Sequence, residues 1–296
     1  MKEKPFSKYQ ILANVVMIIW TLAIILPFIL LFMSSITDEN TLVANGYSFF
    51  PKKFSLASYS YIIKSGGQIL KAYGVSIGVT VVGTLLNVLL SALMAYPLSV
   101  KNLPGRNVMM FFVFFTMLFN GGIVPSYIMW TGTFHIKDTI FAQIVPGFLL
   151  SAWNVMMIRT YFTTSIPDGL YEAAEIDGAS QFTIFWKIVL PLGKPILVTM
   201  GTFAGLAYWN DWTNGLYYIV KNTGLYNVQN LLNQMVQNIQ FLTQSSNSNV
   251  TAAASTIPAT GIQMAIAFVA ILPIMLIFPS FQKYYAKGIA LGAVKG

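Results

Sequence analysis

The sequence has no cysteine, a single histidine and very few charged residues. Without cysteine the chain has neither a disulfide framework nor a thiolate metal site, and His135 alone makes a metal site improbable. Charged residues make up 9% of the 296 residues, whereas a soluble domain carries about 25%. The composition therefore excludes a soluble globular domain.

Motifs for catalysis and nucleotide binding are also missing. The sequence contains no G-x-x-x-x-G-K-[ST] phosphate loop, no G-x-S-x-G and no H-E-x-x-H. The formal net charge is +8, but no basic run or basic stripe occurs, which argues against a nucleic-acid partner. We predict a chain that is not an enzyme, binds no cofactor and does not itself hydrolyse ATP.

Long apolar runs dominate what is present. The chain is 56% hydrophobic with a mean hydropathy of +0.66, and a helix needs about 20 apolar residues to cross a bilayer. This pattern predicts an all-α polytopic membrane protein with six transmembrane helices. The predicted spans are residues 11–33, 71–98, 107–130, 139–161, 195–219 and 262–282. In the second span Gly74, Gly78 and Gly83 are predicted to let helices approach closely.

The distribution of basic residues predicts the orientation. With the N-terminus inside, eleven of the seventeen lysines and arginines fall in cytoplasmic segments, as the positive-inside rule requires. We therefore expect a multi-pass protein of the cell membrane with both termini in the cytoplasm. The loop 162–194 then lies inside, while residues 34–70 and the outer loop 220–261 lie outside.

One cytoplasmic stretch, residues 167–195, holds four of the nine acids: Asp168, Glu172, Glu175 and Asp177. Pro167 suits a helix start, and acids near that start complement the helix dipole. Gly178 then provides a backbone conformation that other residues resist. The stretch predicts a helix, a turn and a second helix at the cytoplasmic surface.

The second helix of this stretch carries Phe182, Phe185, Trp186 and Val189, which at this spacing form one apolar face. An acidic face and an aromatic face leave two interpretations. The segment either rests on lipid or docks onto another protein. Acids are a poor choice beside anionic headgroups, which favours the protein partner.

Here the sequence resembles a known family. Glu172-Ala173-Ala174, Gly178 and the run "IVLP" ending at Pro191 match E-A-A-x3-G-x9-I-x-L-P. This pattern is similar to the signature loop of the membrane-spanning subunits of bacterial ABC importers. The stretches "FFPKKFSLASYSYII" and "FQKYYAKGIALGAVKG" resemble the shorter permease of carbohydrate-uptake systems of the maltose-transporter type. With "AYWNDWTNGLYYI", the resemblance points to permeases for complex oligosaccharides, the lipoprotein-cluster type.

The resemblance implies an ABC importer permease fold and a set of partners. These are a second, homologous permease in a heterodimer, two ATPase subunits that bind ATP and Mg, an extracytoplasmic solute-binding protein, an oligosaccharide substrate and membrane lipid. The residues that it implies for coupling to the ATPase are Glu172, Ala173, Ala174, Asp177, Gly178, Ala179, Phe182, Leu190 and Pro191. The residues of the C-terminal tail that it implies for a further ATPase contact are Lys287, Gly288, Gly292, Lys295 and Gly296.

Polar residues inside the predicted spans are candidates for a translocation path. Asp211 is the only acid in a predicted span, and an intramembrane ionisable group is a functional candidate. The candidate set is Trp209, Asn210, Asp211, Asn214 and Asn120. The alternative is that Asp211 and its neighbours bond adjacent helices, and Asn87 and Asn154 are predicted to do so.

Two further points stay open on the sequence alone. The run "FNGGIVPSY" predicts a break in the third span, which fits a gate or a simple kink. The signature loop is also shared by importers of peptides or amino acids. A secondary transporter or an intramembrane enzyme would require paired charges or catalytic residues within the spans, and only Asp211 is there.

Overall fold

The fold is that of a computed structural model, and residues 8–64, 66–244 and 259–293 are described. Within these ranges the chain is helical, without a β-strand, and Thr37 and Phe54 form one isolated bridge. The α-helices are α1 (Lys8–Ser35), α2 (Glu39–Asn45), α3 (Ala57–Lys64), α4 (Gly66–Ser99), α5 (Arg106–Leu118), α6 (Ile123–Ile128), α7 (Phe141–Ile144), α8 (Ala152–Ser165), α9 (Asp168–Ile176), α10 (Gln181–Ile184), α11 (Leu190–Leu192), α12 (Lys194–Asn210), α13 (Thr213–Tyr218), α14 (Val228–Gln244) and α15 (Ala259–Ala293). Two π-helical turns, Met129–Thr133 and Phe185–Val189, continue α6 and α10, and a short 3-10 turn spans Thr223–Leu225.

Several helices have the length and composition of membrane spans. In the described ranges Lys8–Ser35, Gly67–Ser99 and Thr260–Ile277 each meet this condition alone. Two bent pairs raise the number to five if each pair is one span. The side chains of α1 are exposed along nearly its whole length, which suits a helix surrounded by lipid because lipid tails are as apolar as its side chains.

The chain divides into two compact units. The first comprises residues up to Ile69 together with Leu232–Pro273. Here the carboxylate of Glu39 accepts the N–H groups of Thr260 and Gly261, at 2.9 and 2.8 Å. Because the first N–H groups of a helix have no partner within it, Glu39 caps the start of α15 from another helix.

The second unit comprises Leu70–Leu231 and the residues from Ile274. Its main core is formed by apolar side chains of α4, α8, α12 and the acidic stretch, including Ala92, Ile158, Phe162 and Met200. The ring of Tyr208 occupies the space that a Cβ at Gly83 would need, as predicted for this glycine. Gly74 and Gly78 face open space within the described chain, so the same prediction is wrong for them inside this subunit.

The fourth predicted span, 139–161, is not one continuous helix. The helix α7 ends at Ile144, and α8 begins at Ala152 with Ser151 as its N-cap. Pro146 has no N–H to continue the helix, and Gly147 adopts a left-handed φ of 76°. Pro146 and Gly147 therefore explain why the helix is interrupted here.

The third predicted span, 107–130, is broken as the sequence indicates. The helix α5 stops at Leu118, and the helical segment Ile123–Thr133 leaves it at an angle of 112°. At the break Gly122 has a φ of 86°, and Asn120 Oδ1 accepts the Gly122 N–H at 2.9 Å. The bend is far sharper than a simple kink.

The fifth predicted span, 195–219, is interrupted as well. The helix α12 ends at Asn210, Asp211 and Trp212 leave the helix, and the short helix α13 starts at Thr213. At its other end α12 meets the segment Gln181–Leu192 at 78°. Asp211 therefore does not lie within a helix, which corrects the sequence-based position.

Candidate functional site

The acidic stretch forms the predicted helix, turn and helix. The N–H of Ala179 donates to the carbonyl of Ala174 at 2.9 Å, and the N–H of Gly178 donates to Glu175 at 3.0 Å. This pair of bonds is the Schellman arrangement, which satisfies carbonyls at a helix end and places a glycine in the left-handed region. Gly178 has a φ of 75°. The spacing between the alanines and the glycine is therefore the spacing of a helix end.

The second helix departs from the predicted aromatic face. Ser180 caps it by accepting the Thr183 N–H at 3.2 Å, and the π-helical turn Phe185–Val189 follows. A π-turn holds more residues than an α-turn, so side chains three positions apart no longer align, whereas those four positions apart still do. Phe185 and Val189 are buried, whereas Phe182 and Trp186 are 67% and 43% exposed. The prediction of one shared face is wrong.

The buried side of the stretch is anchored to the core of the second unit. Ala174, Phe185 and Val189 belong to that core, and Tyr171 and Ala179 pack against it. Polar contacts reinforce the attachment because they reach other helices. The Tyr96 hydroxyl donates to Gln181, whose amide donates to Glu175 at 2.8 Å.

The four acids have different surroundings. Asp168 forms an ion pair with Lys101, and Glu175 accepts the bond from Gln181. The carboxylates of Glu172 and Asp177 are exposed, and neither has an ion pair or hydrogen bond to the described residues. For the docking hypothesis of the sequence analysis, we call these two acids and the exposed apolar side chains of Ile176, Phe182 and Trp186 the docking face.

The other residues predicted to couple to the ATPase differ in exposure. Ala173 and Pro191 are exposed, Ala179 and Leu190 are half-buried, and Ala174 is buried. Of the C-terminal candidates, Lys287, Gly288 and Gly292 lie on the backbone of α15. Lys295 and Gly296 lie outside the described residues.

The candidate translocation residues differ in exposure. Asp211 and Asn214 are each only 6% exposed, and Trp209 is buried. Asn210 and Asn120 are exposed, and Asn120 lies at the break before α6. The role of this set in translocation stays a prediction.

Buried polar side chains, among them the candidate Asn214, hold the interrupted helices together at the break after α7. The carbonyls of Ile144, Pro146 and Phe148 lie at the end of α7 and in the break after it. They accept from Tyr208 at 2.8 Å, from Asn214 at 3.0 Å and from Asn87 at 2.6 Å. Asn154 donates to Asn87 at 2.7 Å, which confirms the predicted helix-to-helix role of both.

Hydrogen bonds also stabilise the break between α12 and α13. The Asp211 carboxylate accepts the N–H groups of Thr213 and Asn214 at 3.0 and 3.3 Å. Its backbone carbonyl accepts from Asn227 at 2.7 Å, and Asn230 donates to the carbonyl of Trp212. Because buried backbone groups need partners, this geometry favours helix bonding over substrate contact for Asp211.

The sequence analysis missed a contact centred on Asp138. Its Oδ1 accepts the N–H groups of Val220, Lys221 and Asn222, at 2.7, 2.7 and 3.2 Å. These hydrogen bonds hold the pKa of the Asp138 carboxyl below its ordinary value, and the bond from the Lys221 N–H has the largest effect. No sequence motif predicts this contact, because the two segments are 82 positions apart. We call this arrangement the Asp138 clamp.

Comparison with known proteins decides the family. A model of the family described as "Binding-protein-dependent transport system inner membrane component" matches residues 74–291. The chain belongs to this family. It is thus a membrane-embedded permease subunit of an ABC transport system and not an enzyme.

Similar proteins extend over nearly the whole permease. Protein LplC of Bacillus subtilis (strain 168) is 36% identical over 272 residues, 92% of this chain and 90% of the relative. The polygalacturonan/rhamnogalacturonan transport system permease protein YtcP of the same organism is 36% identical, over 95% and 96%. A crystal structure of a bacterial ABC transporter involved in the import of the acidic polysaccharide alginate superposes with a TM-score of 0.79. It is 26% identical and covers 95% of this chain and 100% of that one.

The turn at Gly178 generates a first prediction. In the permease Gly178→Ala should destabilise the acidic stretch by about 1 kcal/mol or more, because a left-handed backbone is costly for alanine. A Cβ here meets no described atom within 4 Å, so the cost is conformational. Gly178→Asn is the matched control because asparagine tolerates this region.

The measurement is thermal unfolding of the purified permease pair, together with retention of the ATPase on it. Alanine should lower both and asparagine should largely restore them. Equal loss of ATPase with both variants, at unchanged unfolding temperature, would instead indicate a steric contact with the ATPase.

Asp211 generates a second prediction. Asp211→Ala should destabilise the permease by about 1–3 kcal/mol because it leaves two backbone N–H groups without their acceptor. Asp211→Asn keeps one acceptor oxygen and should recover most of the stability. Unfolding temperature and complex yield measure this. Normal yield and stability combined with reduced uptake at limiting substrate would contradict it and support the translocation path.

Proposed function

We propose that this chain is the membrane-spanning permease of an ATP-driven oligosaccharide importer, and that the docking face receives force from a cytoplasmic ATPase. The observation that carries the coupling role is that two acids without a partner in the described chain and two aromatic rings are exposed on one segment that is anchored to the core. Such a surface suits a protein partner, because its apolar groups gain from burial while its acids provide specificity.

The proposed substrate class comes from the relatives. YtcP is named for polygalacturonan and rhamnogalacturonan transport, and AraQ of Bacillus subtilis, 26% identical over 303 residues, for arabinooligosaccharides. The alginate importer, whose fold is similar to that of this chain, is described as importing a polysaccharide. These names favour an oligosaccharide over a peptide or an amino acid.

The proposed assembly contains a second, homologous permease, two ATPase subunits that hold ATP and Mg, and an extracytoplasmic solute-binding protein. The loaded binding protein docks outside, and the ATPases close on ATP. The docking face then moves with the ATPases. Because Ala174, Phe185 and Val189 tie it to the core, its displacement moves the helices and opens the substrate path outward.

The proposed orientation places both termini and residues 162–194 in the cytoplasm. The chain lacks cysteine, so single introduced cysteines label without background. A cysteine at Ser180, which is exposed, should react with an impermeant maleimide only after the cells are opened. A cysteine at Lys52 should react in intact cells. Labelling of the Ser180 position from outside would refute the orientation.

The test of the proposed function uses the whole complex with its binding protein and a panel of oligosaccharides. The loaded binding protein should stimulate ATP hydrolysis by the native complex. Glu172→Ala should reduce that stimulation, and Glu172→Lys should reduce it by about tenfold, equivalent to about 1.4 kcal/mol. The larger loss follows because lysine adds repulsion or an unpaired charge at the interface.

The control is Thr164→Lys, which changes the charge by the same amount as Glu172→Ala at an exposed position on α8. It should leave stimulation near the native value. The two permeases should remain paired in every variant. If the Glu172 variants keep native stimulation and ATPase retention, the docking interpretation is wrong. If no oligosaccharide loads the binding protein, the substrate class is wrong.

A further inference from the structure

Two arginines of the second unit lie near each other without a carboxylate beside them. Arg106 is the first residue of α5, and Arg159 lies on α8, which packs against α5. The two guanidinium groups are close enough for their charges to repel each other. Neither forms an ion pair with a carboxylate of the described residues. Because like charges on long side chains separate when nothing opposes their repulsion, we expect an anion to accompany this pair.

Each guanidinium group is half-buried against the protein. The Nε of Arg159 donates to the carbonyl of Leu98 at 3.2 Å, near the end of α4. The Nε of Arg106 is buried, and no described group accepts its N–H. A buried donor on a charged group is costly without an acceptor, and an ion or a water molecule is the usual partner of such a donor. The burial of Arg106 therefore also indicates a group from outside this chain.

A third basic residue of the same region is neutralised within the chain. Lys101 lies in the connection from α4 to α5, and its amine pairs with the carboxylate of Asp168. The two arginines have no such partner in the described residues, although the acidic stretch begins only three positions after the end of α8. Their charges are thus available to an anion that the chain itself does not supply.

The surface beside the arginines is apolar. Val108, Phe111 and Phe112 are exposed within the first two turns of α5. Arg106 begins α5, and Leu98 lies one residue before the end of α4. In the proposed orientation both helices have these ends on the cytoplasmic side. The inner leaflet there contains anionic phospholipids, and basic pockets between transmembrane helices on that side bind their headgroups.

We propose that Arg106 and Arg159 bind the phosphate of an anionic phospholipid of the inner leaflet, whose acyl chains lie along the exposed apolar side chains of α5. The proposal rests on the proposed orientation. A phosphate suits the pair because a guanidinium group binds phosphate oxygens through two parallel hydrogen bonds, and its charge offsets the repulsion between the arginines. Because Arg159 also bonds the end of α4, the lipid ties α4, α5 and α8 together just before the acidic stretch.

The experiment uses the complete importer, purified in detergent and delipidated. It is titrated with phosphatidylglycerol, or with phosphatidylcholine of the same acyl chains. Native mass spectrometry measures the retained lipid, and thermal unfolding measures the stability of the permease pair, which a ligand of the native state raises by mass action. Phosphatidylglycerol should bind more tightly and stabilise more. Arg106→Gln and Arg159→Gln should each raise its half-saturating concentration by about tenfold, because each removes a charge-assisted contact.

The matched control is Lys101→Gln, which removes the same charge from a residue that is already paired with Asp168. It should leave the half-saturating concentration of phosphatidylglycerol near the native value. Arg159→Gln also removes the hydrogen bond to Leu98, so it should lower the unfolding temperature even without lipid. Arg106→Gln loses no such bond to the described chain and therefore tests the lipid contact separately from stability.

The proposal is overturned if the native complex retains the two lipids equally, or if both arginine variants keep the native half-saturating concentration. An excess of soluble glycerol phosphate should not reproduce the stabilisation; if it does, the ligand is a free phosphate and the lipid assignment is wrong. Loss of the ATPase or of the second permease from the arginine variants, with native lipid binding, would assign the counter-ion to that partner and also overturn the proposal.

These outcomes are distinct from a failure of the proposed function. The lipid titration uses neither an oligosaccharide nor the binding protein, so a wrong substrate class leaves its result unchanged. Cysteine labelling at Ser180 tests the orientation by itself. Labelling of that position from outside would remove the arginines from the inner leaflet, whatever their lipid affinity.

Discussion

The structure of the second unit depends on the requirement that every buried backbone group find a partner. In a bilayer no water substitutes for a missing helical bond, so an interrupted helix needs side chains at the interruption. The carbonyls of Ile144, Pro146 and Phe148 receive these bonds from a tyrosine and two asparagines on other helices. Asp211 and its neighbours perform the same task at the next break. The polar side chains at these two breaks thus connect neighbouring helical segments.

In the proposed mechanism the helical segments on either side of a break would move as defined pieces, which these side chains hold together. The bend of 78° between Gln181–Leu192 and Lys194–Asn210 directs the docking face away from the line of α12. Gly193 permits the close contact at that corner, since a Cβ there would approach the ring of Phe162 to 2.5 Å. Packing this tight transmits displacement because a dense interior deforms little. In the proposed mechanism, a force on Phe182 or Trp186 would reach α8 and α12 through the core that contains Phe185 and Phe162.

The sequence predicts those features that are written in local chemistry. Hydrophobic length identifies α1, α4 and α15, and the glycine and proline signals identify the break before α6 and the turn at Gly178. Two kinds of feature escape it. The π-turn at Phe185–Val189 shifts the aromatic side chains without any composition signal, and the Asp138 clamp joins segments that are remote in sequence. Pro146-Gly147 was a readable signal for the interruption of the fourth span, and the hydropathy of its surroundings concealed it.

Most of the described acids bind groups of their own chain. Of the acids with described side chains, Asp38 pairs with Lys53, Asp168 pairs with Lys101, and Glu39, Asp138, Glu175 and Asp211 accept hydrogen bonds. Six of these eight carboxylates thus satisfy groups of their own chain. Glu172 and Asp177 alone among them are exposed without such a bond. In the proposed assembly, polar or basic groups of the partner would supply the counterpart that these two carboxylates lack in the described chain.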